Sequence, residues 1–248
     1  MTSRAPILAG VFLMGLYTGA QNFMAGGGTF ITYPILVLLG LDPVTASMTS
    51  ALGLYPNQIS SALASRARSE GLPSLPLRAL MAVSVTGGAI GALLLVETPS
   101  AFFSRLVPWL MLFATIVFAW GTRHAPISTK NRMPRWGILV IQFCTAVYGG
   151  YFAAGIGFLM LATLTMNGQP TRVAIATKNV LVLVMTSASF VIFTMAARAV
   201  WPVVVSLAGG ALLGSWLGNW LLQRIPIRWL RIYVVTLGGG LSIWLFMR

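Results

Sequence analysis

Acidic side chains are nearly missing from this 248-residue chain: Asp42, Glu70 and Glu97 are the whole complement. None falls within an apolar stretch, so paired carboxylates for acid–base work or for gripping a hard cation are excluded from the interior. Histidine occurs once, as His124, and cysteine once, as Cys144. A histidine/cysteine metal cluster, an intrachain disulfide and a Cys–His nucleophile pair are excluded with them. Charge is scarce overall, at 8% of residues against about 25% in an ordinary soluble domain. The expectation is no enzyme, no metal and no cofactor.

What the chain has instead is apolar surface, with 57% apolar residues and a mean hydropathy of +0.87. This composition describes an integral membrane protein. At about 20 residues per crossing, the length allows at most about twelve spans and leaves almost nothing for a soluble domain. The charge is one-sided: 16 − 3 gives +13. Loop lysines and arginines that set orientation account for it; the same surplus would also draw anions, lipid headgroups or a solute. Nucleic acid is not an expected partner, because the basic residues are scattered singly through short loops. Arg4 and the apolar run Pro6 to Ala20 have the charge and length of a secretion signal. Gln21, Asn22 and the glycines after them make a poor cleavage site, so the run is read as mature protein.

Ten apolar segments follow one another: 6–24, 29–41, 44–64, 76–96, 106–121, 136–153, 157–167, 173–196, 200–222 and 229–247. The segments 29–41 and 157–167 fall short of the roughly 17 residues a crossing needs. Each follows a glycine-rich break, Ala25-Gly26-Gly27-Gly28 and Ala153-Ala154-Gly155-Ile156-Gly157. They read as half-helices.

The chain also repeats. Gly15-Leu16-Tyr17-Thr18-Gly19-Ala20 answers to Ala146-Val147-Tyr148-Gly149-Gly150-Tyr151, and the glycine break then recurs. Leu41-Asp42-Pro43 leading into Thr49-Ser50 answers to Gly168-Gln169-Pro170 leading into Thr177-Lys178, and Ser84-Val85-Thr86-Gly87-Gly88-Ala89 to Ser206-Leu207-Ala208-Gly209-Gly210-Ala211. The expected fold is an all-α polytopic membrane protein built as two inverted repeats. Residues 1–124 form the first, with its break near 25–28, and 136–248 the second, with its break near 153–157. Each is a glycine-broken hairpin followed by three transmembrane helices, and 125–135 is a basic cytoplasmic connector.

If each broken hairpin enters and leaves on one side, eleven lysines and arginines share the cytoplasmic side against four outside; if it counts as one crossing, the split is ten to five. The positive-inside rule favours the first arrangement by a small margin. Trp120, Trp136, Trp201, Trp220, Trp229 and Trp244 lie near segment ends, as interfacial indoles do. Gly87 and Gly91, and Gly210, Gly214 and Gly218, are spaced by four and read as close-packing helix faces.

Polar backbone at membrane depth is tolerated only when buried in protein or lining a wet cavity. The half-helices starting near Thr29 and Phe158 would aim N-termini, with free N–H groups and partial positive charge, at the membrane middle. Two such ends make an anion site; a tight hairpin turn is the plainer use of Gly26, Gly27 and Gly28. Lys178 is the one lysine or arginine well inside a span, where an ammonium costs on the order of 2.5–3.5 kcal/mol. It needs an anion, water or carbonyls, or else snorkels to the nearby interface. Asn179, Thr177, Thr49, Ser50, Gln21, Asn22, Asn57 and Gln58 add polar groups around it, and Gly27, Gly28, Thr29, Gly155 and Gly157 add the two break ends. Together they describe a midplane substrate site with donors and no fixed negative charge.

Gly26-Gly27-Gly28-Thr29-Phe30-Ile31-Thr32-Tyr33-Pro34, followed by Leu39-Gly40-Leu41-Asp42-Pro43-Val44-Thr45-Ala46-Ser47-Met48-Thr49-Ser50 and a degenerate second copy, resembles the sulfite exporter TauE/SafE family, also called TSUP transporters. The resemblance extends over essentially the whole chain. It implies movement of sulfite, thiosulfate, sulfoacetate or other organosulfonates across a bacterial inner membrane by alternating access. The expected partners are that small anion and the lipid bilayer, with a homodimer allowed for. A potential of about 100 mV, negative inside, drives each exported negative charge with about 2.3 kcal/mol, which suits an exporter. The alternatives are a transporter of a non-sulfur organic anion, an accessory membrane subunit docked through the glycine faces, or an intramembrane enzyme with a serine–lysine pair of Ser50 and Lys178.

Overall fold

The computed structural model describes residues 4–24, 27–121 and 133–222, and beyond these 236, 239 and 240. Ala25 and Gly26 of the first break, residues 125–132 of the connector and nearly all of the segment 229–247 lie outside the described residues, as do Trp229 and Trp244. The other nine segments are helices: α1 (Arg4–Met24), α2 (Thr29–Leu38), α3 (Pro43–Ser65), α4 (Leu77–Glu97), α5 (Ser100–Gly121), α6 (Arg135–Tyr151), α7 (Ile156–Met166), α8 (Thr171–Met195) and α9 (Trp201–Leu222). Among the described residues there is no strand, only an isolated bridge between Leu72 and Leu75.

Local chemistry sets the ends. α2 and α7 both stop at a left-handed glycine, Gly40 at φ +90° and Gly168 at φ +89°. Each is wrapped by the same reversed bond, Leu41 N–H to the Leu36 carbonyl (3.1 Å) and Gln169 N–H to that of Leu164 (3.2 Å), the Schellman closure that only glycine adopts without strain. α3 starts on Asp42, whose carboxylate accepts the Thr45 N–H at 3.4 Å, with Pro43 at the first helical position.

α4, α8 and α9 are long and apolar enough to cross a membrane. α1 and α3, at 21 and 23 residues, are also about 30 Å long, but they carry Thr18, Gln21, Ser47, Thr49, Ser50 and Asn57, all turned inward and buried. Leu93, Leu94, Phe113, Val191, Leu213 and Trp216 point outward. This inside-polar, outside-apolar arrangement suits a protein whose surrounding solvent is lipid. Trp136 and Trp201 stand exposed at helix starts, consistent with boundary indoles.

The packing is reciprocal between the halves. α1 packs on α9 as α6 packs on α4, α3 on α9 as α8 on α4, and α3 and α8 pack on each other. Glycines bring the outer pairs to backbone contact. A Cβ on Gly91 would stand 2.1 Å from the Val147 carbonyl oxygen, and one on Gly214 2.0 Å from that of Leu16. The glycine spacing therefore serves close packing. Its register differs by one residue from the sequence match. Gly210 meets the Phe12 carbonyl as Gly87 meets that of Phe143, whereas Gly209 meets only the Phe12 ring. The face pressed against the partner decides which glycine is equivalent, and letter identity does not.

Hydrogen bonds fix the topology. Ser206 Oγ donates to the Leu8 carbonyl (2.7 Å), Val200 N–H to Thr49 Oγ1 (3.3 Å) and Ser100 Oγ to Asp42 Oδ2 (2.6 Å). The start of α1, the end of α2 and the start of α9 thus share one face. The first broken hairpin enters and leaves on the same side. In the second, Met133 N–H donates to Asn167 Oδ1 at 3.2 Å, which joins the start of α6 to the end of α7. The opposite face holds Ser65, Glu70 and Gln169.

Candidate functional site

Gly27 and Gly155, at φ +80° and +74°, turn the chain at corresponding points into α2 and α7. Asn22 Oδ1 accepts the Gly28 N–H at 3.4 Å and pins the first turn. On the other side Ala153, at φ +60°, holds a conformation that alanine seldom takes. Both breaks open onto one cavity of about 30 Å³, which Gly27 and Thr29 line from α2, and Ile156 and Gly157 from α7. At α2 the Phe30 and Ile31 N–H groups donate to the Gly27 and Gly28 carbonyls (2.9 and 3.1 Å), so what each helix end brings to the cavity is chiefly its partial positive charge, about half a unit.

α3 and α8 cross beside these ends as an antiparallel pair. They line the cavity in matched positions, Ala51 with Asn179, Leu54 with Val182 and Gln58 with Thr186, at the same offset that relates Gly27 to Gly155. Lys178 lines it too, while its counterpart Ser50 does not: the Ser50 hydroxyl is hydrogen-bonded to that of Thr32. Lys178 is 7% exposed and has no hydrogen-bond or ion-pair partner among the described residues. It does not snorkel out of the protein.

Of the residues expected at the site, the structure brings together Lys178, Asn179, Asn22, Gln58, Gly27, Thr29 and Gly157. It places the others elsewhere. Thr177 Oγ1 donates to the Glu70 carbonyl (2.9 Å) and accepts the Glu70 N–H (3.1 Å) and Gln169 Nε2 (3.1 Å), tying the loop after α3 to α8. Thr49 holds Val200. Asn57 Nδ2 donates to the Gly19 carbonyl (3.0 Å), and its Oδ1 accepts Ser61 (3.2 Å). Gly28 packs against Leu54 and Asn22, and Gly155 against Ala114 and Phe30. Gln21 is buried at 3% exposure, with neither amide atom partnered among the described residues. With Ser50 turned to Thr32, the Ser50–Lys178 nucleophile pair has no support. Thr186 was not anticipated. It stands two helical turns from Lys178 through Val182, and extending the 178, 182, 186 spacing along α8 would have found it.

The cavity offers an ammonium, carboxamides, hydroxyls and two helix N-termini, and no carboxylate. Its room, about 30 Å³, is enough for about two waters at ~15 Å³ each.

The sequence profile described as "Sulfite exporter TauE/SafE" matches residues 11–245. A "Probable membrane transporter protein" of Haemophilus influenzae is 29% identical over 216 residues, covering 86% of this chain and 84% of that protein. "Probable membrane transporter protein ORF9" of a Sinorhizobium species is 28% identical over 217 residues (86% and 82%). "Probable membrane transporter protein YfcA" of Escherichia coli K12 is 25% identical over 244 residues (96% and 89%). No solved structure matches the chain significantly.

Proposed function

The chain belongs to the sulfite exporter TauE/SafE family of membrane transporters, and from that premise we propose that it carries a small sulfur-containing oxoanion, sulfite, thiosulfate or an organosulfonate, out across a bacterial inner membrane. The observation that carries this reading is Lys178, buried and unpartnered in a cavity that two half-helix N-termini also line. One ammonium and two helix ends at about half a charge each amount to about two positive charges, with no carboxylate to cancel them. Such a site is costly when empty and suits an anion.

In this reading the site residues are Lys178, Asn179, Asn22, Gln58, Thr29 and Thr186, with the backbone of Gly27 and Gly157. The repeats 1–124 and 136–248, inverted about the connector 125–135, carry the two break ends. Exchange of packing between them exposes the cavity to one side and then the other. The reciprocal helix pairing and the same-side return of the first hairpin support this arrangement. The basic face bearing Arg66, Arg68, Arg135 and Arg172 is taken as cytoplasmic.

Counterflow of radiolabelled sulfite, thiosulfate and a sulfonate into liposomes holding the purified protein tests the proposal. Uptake of one of them, driven faster by an imposed potential and lost in Lys178→Gln, is expected. Failure with all three would move the reading to a non-sulfur anion or to an accessory subunit.

A further inference from the structure

The cavity continues. A second, smaller space of about 10 Å³ shares Ala51, Ala153 and Thr186 with the first and runs on to Phe190 and Phe193. Beyond the shared neck its lining changes from amide and ammonium to the Phe190 and Phe193 rings, with Gly149 and with Ser189, whose hydroxyl donates to the Gly88 carbonyl at 3.4 Å. Phe190 is stacked on Tyr55 of α3, ring centroids 4.4 Å apart and 26° from parallel. The Tyr55 hydroxyl is tied back to Ser187 Oγ at 3.0 Å.

The reciprocal packing of α3 and α8 allows the two ends to be compared position by position. At the offset that relates Gly27 to Gly155, the counterpart of Phe193 is Ser65, and that of Ala51 is Asn179. Toward the face where α8 begins, this pair of positions is a hydrogen bond, Asn179 Nδ2 donating to Ser65 Oγ at 2.8 Å. It is backed by the Gln169, Thr177 and Glu70 bonds. Toward the face where α8 ends, the same two positions are the Phe193 ring and the Ala51 methyl, both lining the second space. One geometry is thus closed by exchangeable hydrogen bonds at one end and by a dry aromatic plug at the other. An anion crosses hydrogen-bonded groups by swapping partners, but this space holds at most about one water, and its two hydroxyls, Thr186 and Ser189, are already turned to the Val182 and Gly88 carbonyls (2.8 and 3.4 Å).

We propose that Tyr55, Phe190 and Phe193 form the gate between the polar cavity and the face where α8 ends, and that the Asn179–Ser65 bond is the weaker latch on the opposite face. The proposal rests on the transporter reading, but its test needs no transported substrate. Thr186→Cys, made with Cys144→Ser, places a thiol at the neck. A membrane-impermeant anionic methanethiosulfonate, which the positive site does not repel, is applied to vesicles of both orientations. Arg198→Cys, exposed just past the end of α8, reports which population presents that face.

In the parent the neck thiol should react slowly from the α8-end face. Phe190→Ala should raise that rate at least tenfold, Tyr55→Phe, which loses only the Ser187 bond, should raise it less, and neither should change the rate from the opposite face. Ser65→Ala should do the reverse. The unchanged opposite-face rate also reports that Phe190→Ala is folded, and Tyr55→Phe stands in for it if it is not. An unchanged α8-end rate in both gate variants, or a rise only from the opposite face, overturns the proposal.

Discussion

Replacing Gly91 by alanine should destabilise the protein although it adds a single methyl group. The Cβ would stand 2.1 Å from the Val147 carbonyl oxygen and 2.8 Å from the Tyr151 amide nitrogen. Both are backbone atoms of α6 that no rotamer change can move. Restoring ordinary contact needs more than 1 Å of separation between α4 and α6, and overpacking on this scale costs about 1–3 kcal/mol. For a chain of this size that is about 2–4 °C per kcal/mol, or a fall of roughly 2–12 °C in the thermal midpoint of the purified protein, read by tryptophan fluorescence. Gly214→Ala, 2.0 Å from the Leu16 carbonyl, should cost a similar amount in the equivalent pair. Two controls separate sterics from helix propensity. Gly209→Ala would meet the Phe12 ring at 3.5 Å, and Gly10→Ala would meet nothing within 4 Å, so both should be neutral or gain up to about 1 kcal/mol. If Gly91→Ala and Gly214→Ala melt with these controls, the backbone contacts described for α1–α9 and α4–α6 are wrong.

Asn57→Ala should lower stability by about 1–3 kcal/mol, because it strips the Gly19 carbonyl and Ser61 of their partner; KM for transport, corrected for folded protein, should stay unchanged. Gln58→Ala and Asn179→Ala, which line the cavity, should instead raise KM severalfold, and an unaltered KM in both would remove the carboxamides from the site. Asp42→Ala should cost about 0.5–2 kcal/mol through the lost α3 cap, visible as a lower midpoint with transport per folded molecule retained.

Much of this arrangement was legible before the structure. The short segments 29–41 and 157–167 and the glycines ahead of them marked two broken hairpins, because membrane thickness is a fixed ruler. Lys178 was conspicuous because a cation in an apolar run has few explanations. Which neighbours it keeps was not legible. Thr49, Ser50, Thr177 and Asn57 have the right composition and depth, yet adjacent helix positions point about 100° apart, and only tertiary packing decides which face meets the cavity. Thr177 turns to Glu70 and Ser50 to Thr32, so polar residues beside Lys178 serve the frame. The one-residue register between Gly87 and Gly210 was hidden for the same reason.

The most direct test of the central claim is the equilibrium binding of sulfite and thiosulfate to the purified protein in detergent, wild type against Lys178→Gln. The account predicts saturable binding of at least one anion, weakened tenfold or more, about 1.4 kcal/mol, in the variant with its thermal midpoint preserved. Equal affinity in the two proteins would contradict it.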